Sequence, residues 1–114
     1  MGEGVFRPST SYAAWHYQRG KKLNYKITVK HAEGEEWVVT VQAAATTHHR
    51  VRVTKGDLDR LAEGRSAEVL LQESFQFLLE REPNTSILNA FDLPLIGHYF
   101  MEYEQEIRAR LKGK

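Results

Sequence analysis

The chain has 114 residues, 41% of them hydrophobic and 27% charged, with a net charge of +1 and no cysteine. That composition fits one soluble globular domain and excludes collagen-like, low-complexity and wholly disordered chains. It also leaves no disulfide framework, no thiolate chemistry and no cysteine–zinc site.

No stretch approaches the roughly 20 consecutive apolar residues that cross a bilayer, so no membrane partner is expected. The start, Met1-Gly2-Glu3-Gly4, lacks the basic and apolar regions of a signal peptide, and Phe6 stands where a myristoylation signal needs Ser or Thr. A cytoplasmic protein is predicted. Charge is unevenly placed: residues 1–55 hold nine Lys and Arg against four Asp and Glu, whereas residues 56–114 hold seven against eleven. Such a chain can turn a basic end toward an anionic partner, although acidic helices following a basic sheet give the same imbalance.

Residues 1–22 read as a flexible arm. Pro8-Ser9-Thr10-Ser11 is a loop cluster, Gly20 breaks the chain, and the span Tyr12–Tyr17 is too short for a stable isolated helix. A single α+β domain is expected over 23–112. Its first part alternates with period two. Leu23, Tyr25, Ile27 and Val29 alternate with Asn24, Lys26, Thr28 and Lys30; Trp37, Val39 and Val41 with Val38, Thr40 and Gln42; His49, Val51 and Val53 with His48, Arg50 and Arg52. Short links, one built on Gly34, join these segments, which predicts a three-stranded antiparallel meander.

After Val53 the period becomes 3.6. Thr54-Lys55-Gly56-Asp57 is a capping box in acidic form, opening a short helix that should stop near Gly64. Ser66 caps a second helix with Leu70, Leu71, Phe75, Leu78 and Leu79 on one side and Glu68, Glu73, Glu80 and Arg81 toward solvent, ended by Pro83-Asn84. A short helical turn is expected within 85–92. Asp92 then caps one long last helix, with Pro94 in its first turn and Leu95, Tyr99, Tyr103 and Ile107 as its apolar stripe. The fold prediction is α+β, βββααα: a three-stranded antiparallel sheet with helices on one face, and Ile27, Val39, Val51, Phe75, Leu79, Tyr99 and Tyr103 in one core.

The run Ser74-Phe75-Gln76-Phe77-Leu78-Leu79-Glu80-Arg81-Glu82-Pro83 continues through Ser86-Ile87-Leu88, Phe91-Asp92-Leu93 and Tyr99-Phe100-Met101-Glu102-Tyr103-Glu104. Over roughly residues 46–107 this pattern resembles short bacterial proteins that carry no assigned function. The resemblance implies a small intracellular bacterial protein and transfers no catalytic or ligand residue.

Chemistry-bearing motifs are few. His48 and His49 are adjacent on a strand and so point to opposite faces, and no carboxylate at ligand spacing joins them or His31. One half-buried and one exposed histidine is the plainer reading, and no metal or other cofactor is predicted. Ser74 and Ser86 sit outside any G-x-S-x-G elbow, and both glycine-rich phosphate loops are missing. Glu33, Glu35 and Glu36 cluster at a turn, where solvated carboxylates are the rule. His98 flanks the last apolar stripe as a boundary residue, and surplus apolar surface there leaves a homodimer open.

The most suggestive set lies on the sheet face away from the helices, where alternation puts Lys26, Thr28, Lys30, Thr40, Gln42, His48, Arg50 and Arg52 with no acid within the strands. The arm adds Trp15, Arg19, Lys21 and Lys22, cations next to a stacking aromatic. Candidate anion or nucleic-acid contacts are therefore Trp15, Arg19, Lys21, Lys22, Lys26, Lys30, His48, Arg50 and Arg52. Solvated sheet faces are also often cationic, and neither an RNP aromatic pair nor a KH loop is apparent. Three readings follow: a non-catalytic module binding a protein partner, a nucleic-acid binder using this face, and a small enzyme with an unrecognised site.

Overall fold

Three β-branched, alternating segments pair through short turns. In the computed structural model, which describes residues 25–113, they are β1 (Lys26–Glu33), β2 (Glu36–Gln42) and β3 (Thr46–Arg52). Both pairings are antiparallel. Gly34 turns the first hairpin at φ +57, a conformation that costs glycine little and other residues much. The expected arm at residues 1–22 lies outside the described residues.

Helices α1 (Lys55–Leu61) and α2 (Ala67–Leu79) follow, then a 3₁₀ turn at Asn84–Ser86, strand β4 (Ala90–Asp92), and helices α3 (Leu95–Tyr99) and α4 (Tyr103–Lys112). The capping box at α1 is complete. Asp57 N–H donates to Thr54 Oγ1 at 3.1 Å, and Thr54 N–H donates to Asp57 Oδ2 at 2.9 Å. Thr54→Ala should therefore cost about 1 kcal/mol in chemical denaturation. Ser66 caps α2 by accepting from Val69 N–H.

The fold is α+β as expected, with two differences. First, β4 adds a fourth strand, parallel to β3, giving the order β1-β2-β3-β4 and a mixed sheet instead of a purely antiparallel one. The segment 85–92 therefore holds a strand as well as a helical turn. Second, the last helix is two helices. The backbone is extended at Phe100, which turns its ring edge-on to Phe77 at 6.0 Å and leaves Tyr99 47% and Met101 90% exposed. Tyr99 is thus outside the core to which alternation by fours assigns it.

The helix α2 is buried on two sides, not one. Phe75 faces the sheet, with its ring 5.4 Å from His49 and 6.2 Å from Phe91. Phe77, two positions on, faces α4 and lies 5.3 Å from the Tyr103 ring. Glu73, expected in solvent, is consequently buried. Between α2 and α4, Ser74 Oγ and Tyr103 Oη share a buried 2.7 Å hydrogen bond, and burial holds the Tyr103 phenol well above its ordinary pKa. At the rim, Glu80 accepts from Arg110 at 2.6 Å, Arg81 bonds Glu102 at 3.1 Å, and the Arg81 guanidinium stacks 3.6 Å from the Phe77 ring centre. All described helices lie on one side of the sheet core built from Val39, Val41, Val51, Leu70, Leu71, Phe75 and Ile107, and the other side of the sheet is left bare among the described residues.

Candidate interaction surface

Cross-strand partners share a face, so the pairing registers map the bare side residue by residue. Four rows run across the strands. The first is Lys26, Gln42 and Thr46; the second is Thr28, Thr40 and His48; the third is Lys30, Val38, Arg50 and Ala90. The fourth is Glu33, Glu36, Arg52 and Asp92.

The fourth row corrects the expectation of a face without acids. Glu36 is the first residue of β2, and Asp92 arrives on the strand that alternation did not reveal. Glu33 is an odd-numbered residue of β1, and odd residues there face the helices. A register irregularity between His31 and Glu33 brings Glu33 opposite Glu36 instead, the usual effect of a β-bulge.

The face is therefore polarised: three rows hold lysine, arginine, histidine, hydroxyl and amide groups, and the last holds three carboxylates around one arginine. Arg50 and Arg52 are already engaged, Arg50 with Glu36 at 3.2 Å and Arg52 with Glu35 at 3.3 Å. All four side chains are about half exposed, so each pair stabilises by well under about 1 kcal/mol. It still lowers the positive charge these arginines offer to an anion. A shallow depression of about 180 Å³ opens between Glu36, Arg50, Arg52 and Asp92, less than the roughly 300 Å³ at which small-molecule pockets begin.

Of the expected contacts, Lys26, Lys30, His48, Arg50 and Arg52 come together on this face; Trp15, Arg19, Lys21 and Lys22 lie outside the described residues. The signal that could have found Glu36 was its even number, which continues the outward series of β2.

His31, His48 and His49 have structural partners. His48 Nδ1 lies 3.0 Å from Thr40 Oγ1 on the bare face, and His31 Nε2 lies 2.8 Å from the Gly34 carbonyl oxygen. His49 is fully buried on the helix side: Nδ1 is 2.7 Å from the Leu88 carbonyl and Nε2 is 2.8 Å from Thr47 Oγ1. A carbonyl can only accept, so Nδ1 carries the proton and Nε2 accepts from the Thr47 hydroxyl. Burial lowers the His49 pKa, with the like charge of His48 adding to it against the Leu88 hydrogen bond. His48 and His49 thus stand on opposite faces, and among the described residues no three His, Cys, Asp or Glu side chains gather as a metal site. Treatment with a chelator should leave the melting temperature unchanged; a drop would reveal a metal coupled to folding.

No described helix is long and apolar enough to cross a membrane. Comparisons with protein-family models, with curated proteins and with solved structures found no match to this chain.

Proposed function

We infer that this domain is a small non-catalytic binding module that takes a protein partner on the bare side of its sheet. The observation that carries this reading is the polarised face itself. Its three carboxylates gather in one end row around Arg52, and its other rows carry cations and polar groups without an acid. Val38 and Ala90 lie in the row beside the acids, a distribution that suits another mixed-charge protein surface better than a uniform polyanion. Photo-crosslinking tests it. A crosslinker at position 40 should give a discrete, nuclease-resistant protein adduct in a lysate of the native host, and one at exposed position 109 should not. Equal adducts from both positions would remove the reading.

Nucleic-acid binding is the second reading, favoured by the three rows that hold Lys26, Lys30, His48 and Arg50 without a carboxylate. It requires labelled single-stranded DNA or RNA to bind at about 50 mM salt and to be lost steeply as salt rises. Lys26→Glu with Lys30→Glu should then abolish binding more completely than reversal of Arg50 or Arg52, whose charges are partly met by Glu36 and Glu35.

A further inference from the structure

The sheet has two unequal edges. One is β4, three residues long; the other is β1, eight residues long and paired on its β2 side only, among the described residues. Which backbone groups face the open edge follows from the ladder. Val53 N–H donates to the Glu35 carbonyl at 2.9 Å, so Glu35 and Val53 form a hydrogen-bonded pair. By the alternation of an antiparallel ladder, the odd residues of β2 bond β3 and its even residues bond β1. Lys26, Thr28 and Lys30 are the β1 partners of those even residues, so the N–H and C=O groups of Ile27, Val29 and His31 point away from the sheet. Independent support comes from Gln72 of α2, whose Nε2 reaches the Ile27 carbonyl at 3.4 Å. The outward groups of Val29 and His31 have no such cover among the described residues.

We propose that this edge accepts an extended peptide as an added antiparallel strand, and that the peptide reads acid–apolar–any–apolar–acid. Its acids lie opposite Lys30 and Lys26, which project on the bare face four residues apart. Its apolar residues lie opposite Val29 and Ile27, which are only half-buried on the helix side. Main-chain hydrogen bonds supply the affinity in this mode, and the alternating side chains supply the choice of sequence. Charge selects this occupant over a second copy of the chain. A two-fold axis through Val29 would set each copy's Lys30 diagonally beside the other copy's Lys26 and Lys30, a like-charge cluster that opposes pairing. The proposal rests on the protein-partner reading and gives it a mode of binding.

The test uses the full chain and a fluorescein-labelled peptide of sequence Gly-Ser-Glu-Val-Thr-Val-Glu-Ser-Gly, followed by anisotropy and amide hydrogen exchange. Saturable binding is expected, with exchange slowed at the Val29 and His31 amides. Combining Lys26→Glu and Lys30→Glu should weaken it by about tenfold or more, and exchanging both peptide acids for lysine should do the same. N-methylation of the two peptide valines, which leaves every side chain in place, should abolish it. Equal binding of the N-methylated peptide would overturn strand addition. So would saturable binding without slowed exchange at Val29 and His31, absence of binding at about 1 mM peptide, or concentration-dependent protection of Val29 and His31 without peptide, which would make the occupant a second copy. A nuclease-resistant adduct from position 40 combined with no peptide binding would leave the module reading standing and remove the edge proposal alone.

Discussion

Phe75→Ala should lose about 3–5 kcal/mol of folding stability in guanidinium denaturation. The ring is fully buried and sits where α2, β3 and β4 meet, against His49 and Phe91. Removing it leaves a void walled by a hydrogen-bonded histidine and a three-residue strand, neither of which can move in to fill it. Against a total of about 5–15 kcal/mol for a domain, such a loss is a large fraction. Tyr99→Ala gives the contrast: with its side chain nearly half in water, it should change stability by no more than about 0.5 kcal/mol. A loss below about 1 kcal/mol for Phe75→Ala would put that ring outside the core.

Phe75 and Tyr99 also mark how far periodicity reaches. Three strands, the capping box at Thr54 and the cap at Ser66 were legible because each is specified locally, by alternation or by a hydroxyl three residues from the N–H it meets. Strand β4 was not, since Ala90-Phe91-Asp92 is a single alternation and parallel pairing is imposed by the chain returning beside β3. No glycine or proline stands at the break at Phe100 itself, and Gly97, three residues earlier, lies within α3. The break arises from packing, where the Phe100 ring turns toward Phe77. Phe77 itself lies off the stripe of Leu71, Phe75 and Leu78 because α2 is covered on two sides, which a one-sided amphipathic pattern cannot express.

The bare face was half legible for a related reason. Its cations follow from parity, since the register that turns Val29, Val39 and Val51 inward turns Lys30 and Arg50 outward. Two of its acids escape parity, since a bulge reverses Glu33 and Asp92 rides on β4, whereas Glu36 obeys it but stands where turn and strand join. The resulting charge gradient is a tertiary property, as is the edge of β1 left unpaired among the described residues, because both depend on which strand is last in the sheet.

Acid should weaken the fold through His49. Asn84 Nδ2 donates to Thr47 Oγ1 at 2.9 Å and to the Ala45 carbonyl at 3.0 Å, the Thr47 hydroxyl donates to His49 Nε2, and His49 Nδ1–H donates to the Leu88 carbonyl. This chain joins β3 to the connection between α2 and β4, and it requires a neutral imidazole. The folded-state pKa is lowered, chiefly by burial, so the unfolded chain takes up a proton first as pH falls past about 6.5. Stability from this group is therefore complete above that pH. It declines below it by up to about 1.4 kcal/mol per pH unit until the folded state also protonates. His49→Gln, which keeps a donor and an acceptor but cannot titrate, should be less stable at pH 7 and should lose this part of the slope between pH 5 and 7. Asn84→Ala acts at the other end of the chain, removing the donor to the Ala45 carbonyl and to Thr47, and should cost about 1–3 kcal/mol at every pH. Denaturation of the three proteins across pH 5–8 separates the two effects. If the wild type and His49→Gln kept the same slope, the proton would be binding His49 without breaking the Thr47 contact, and the relay would not be what ties β3 to the 84–89 connection.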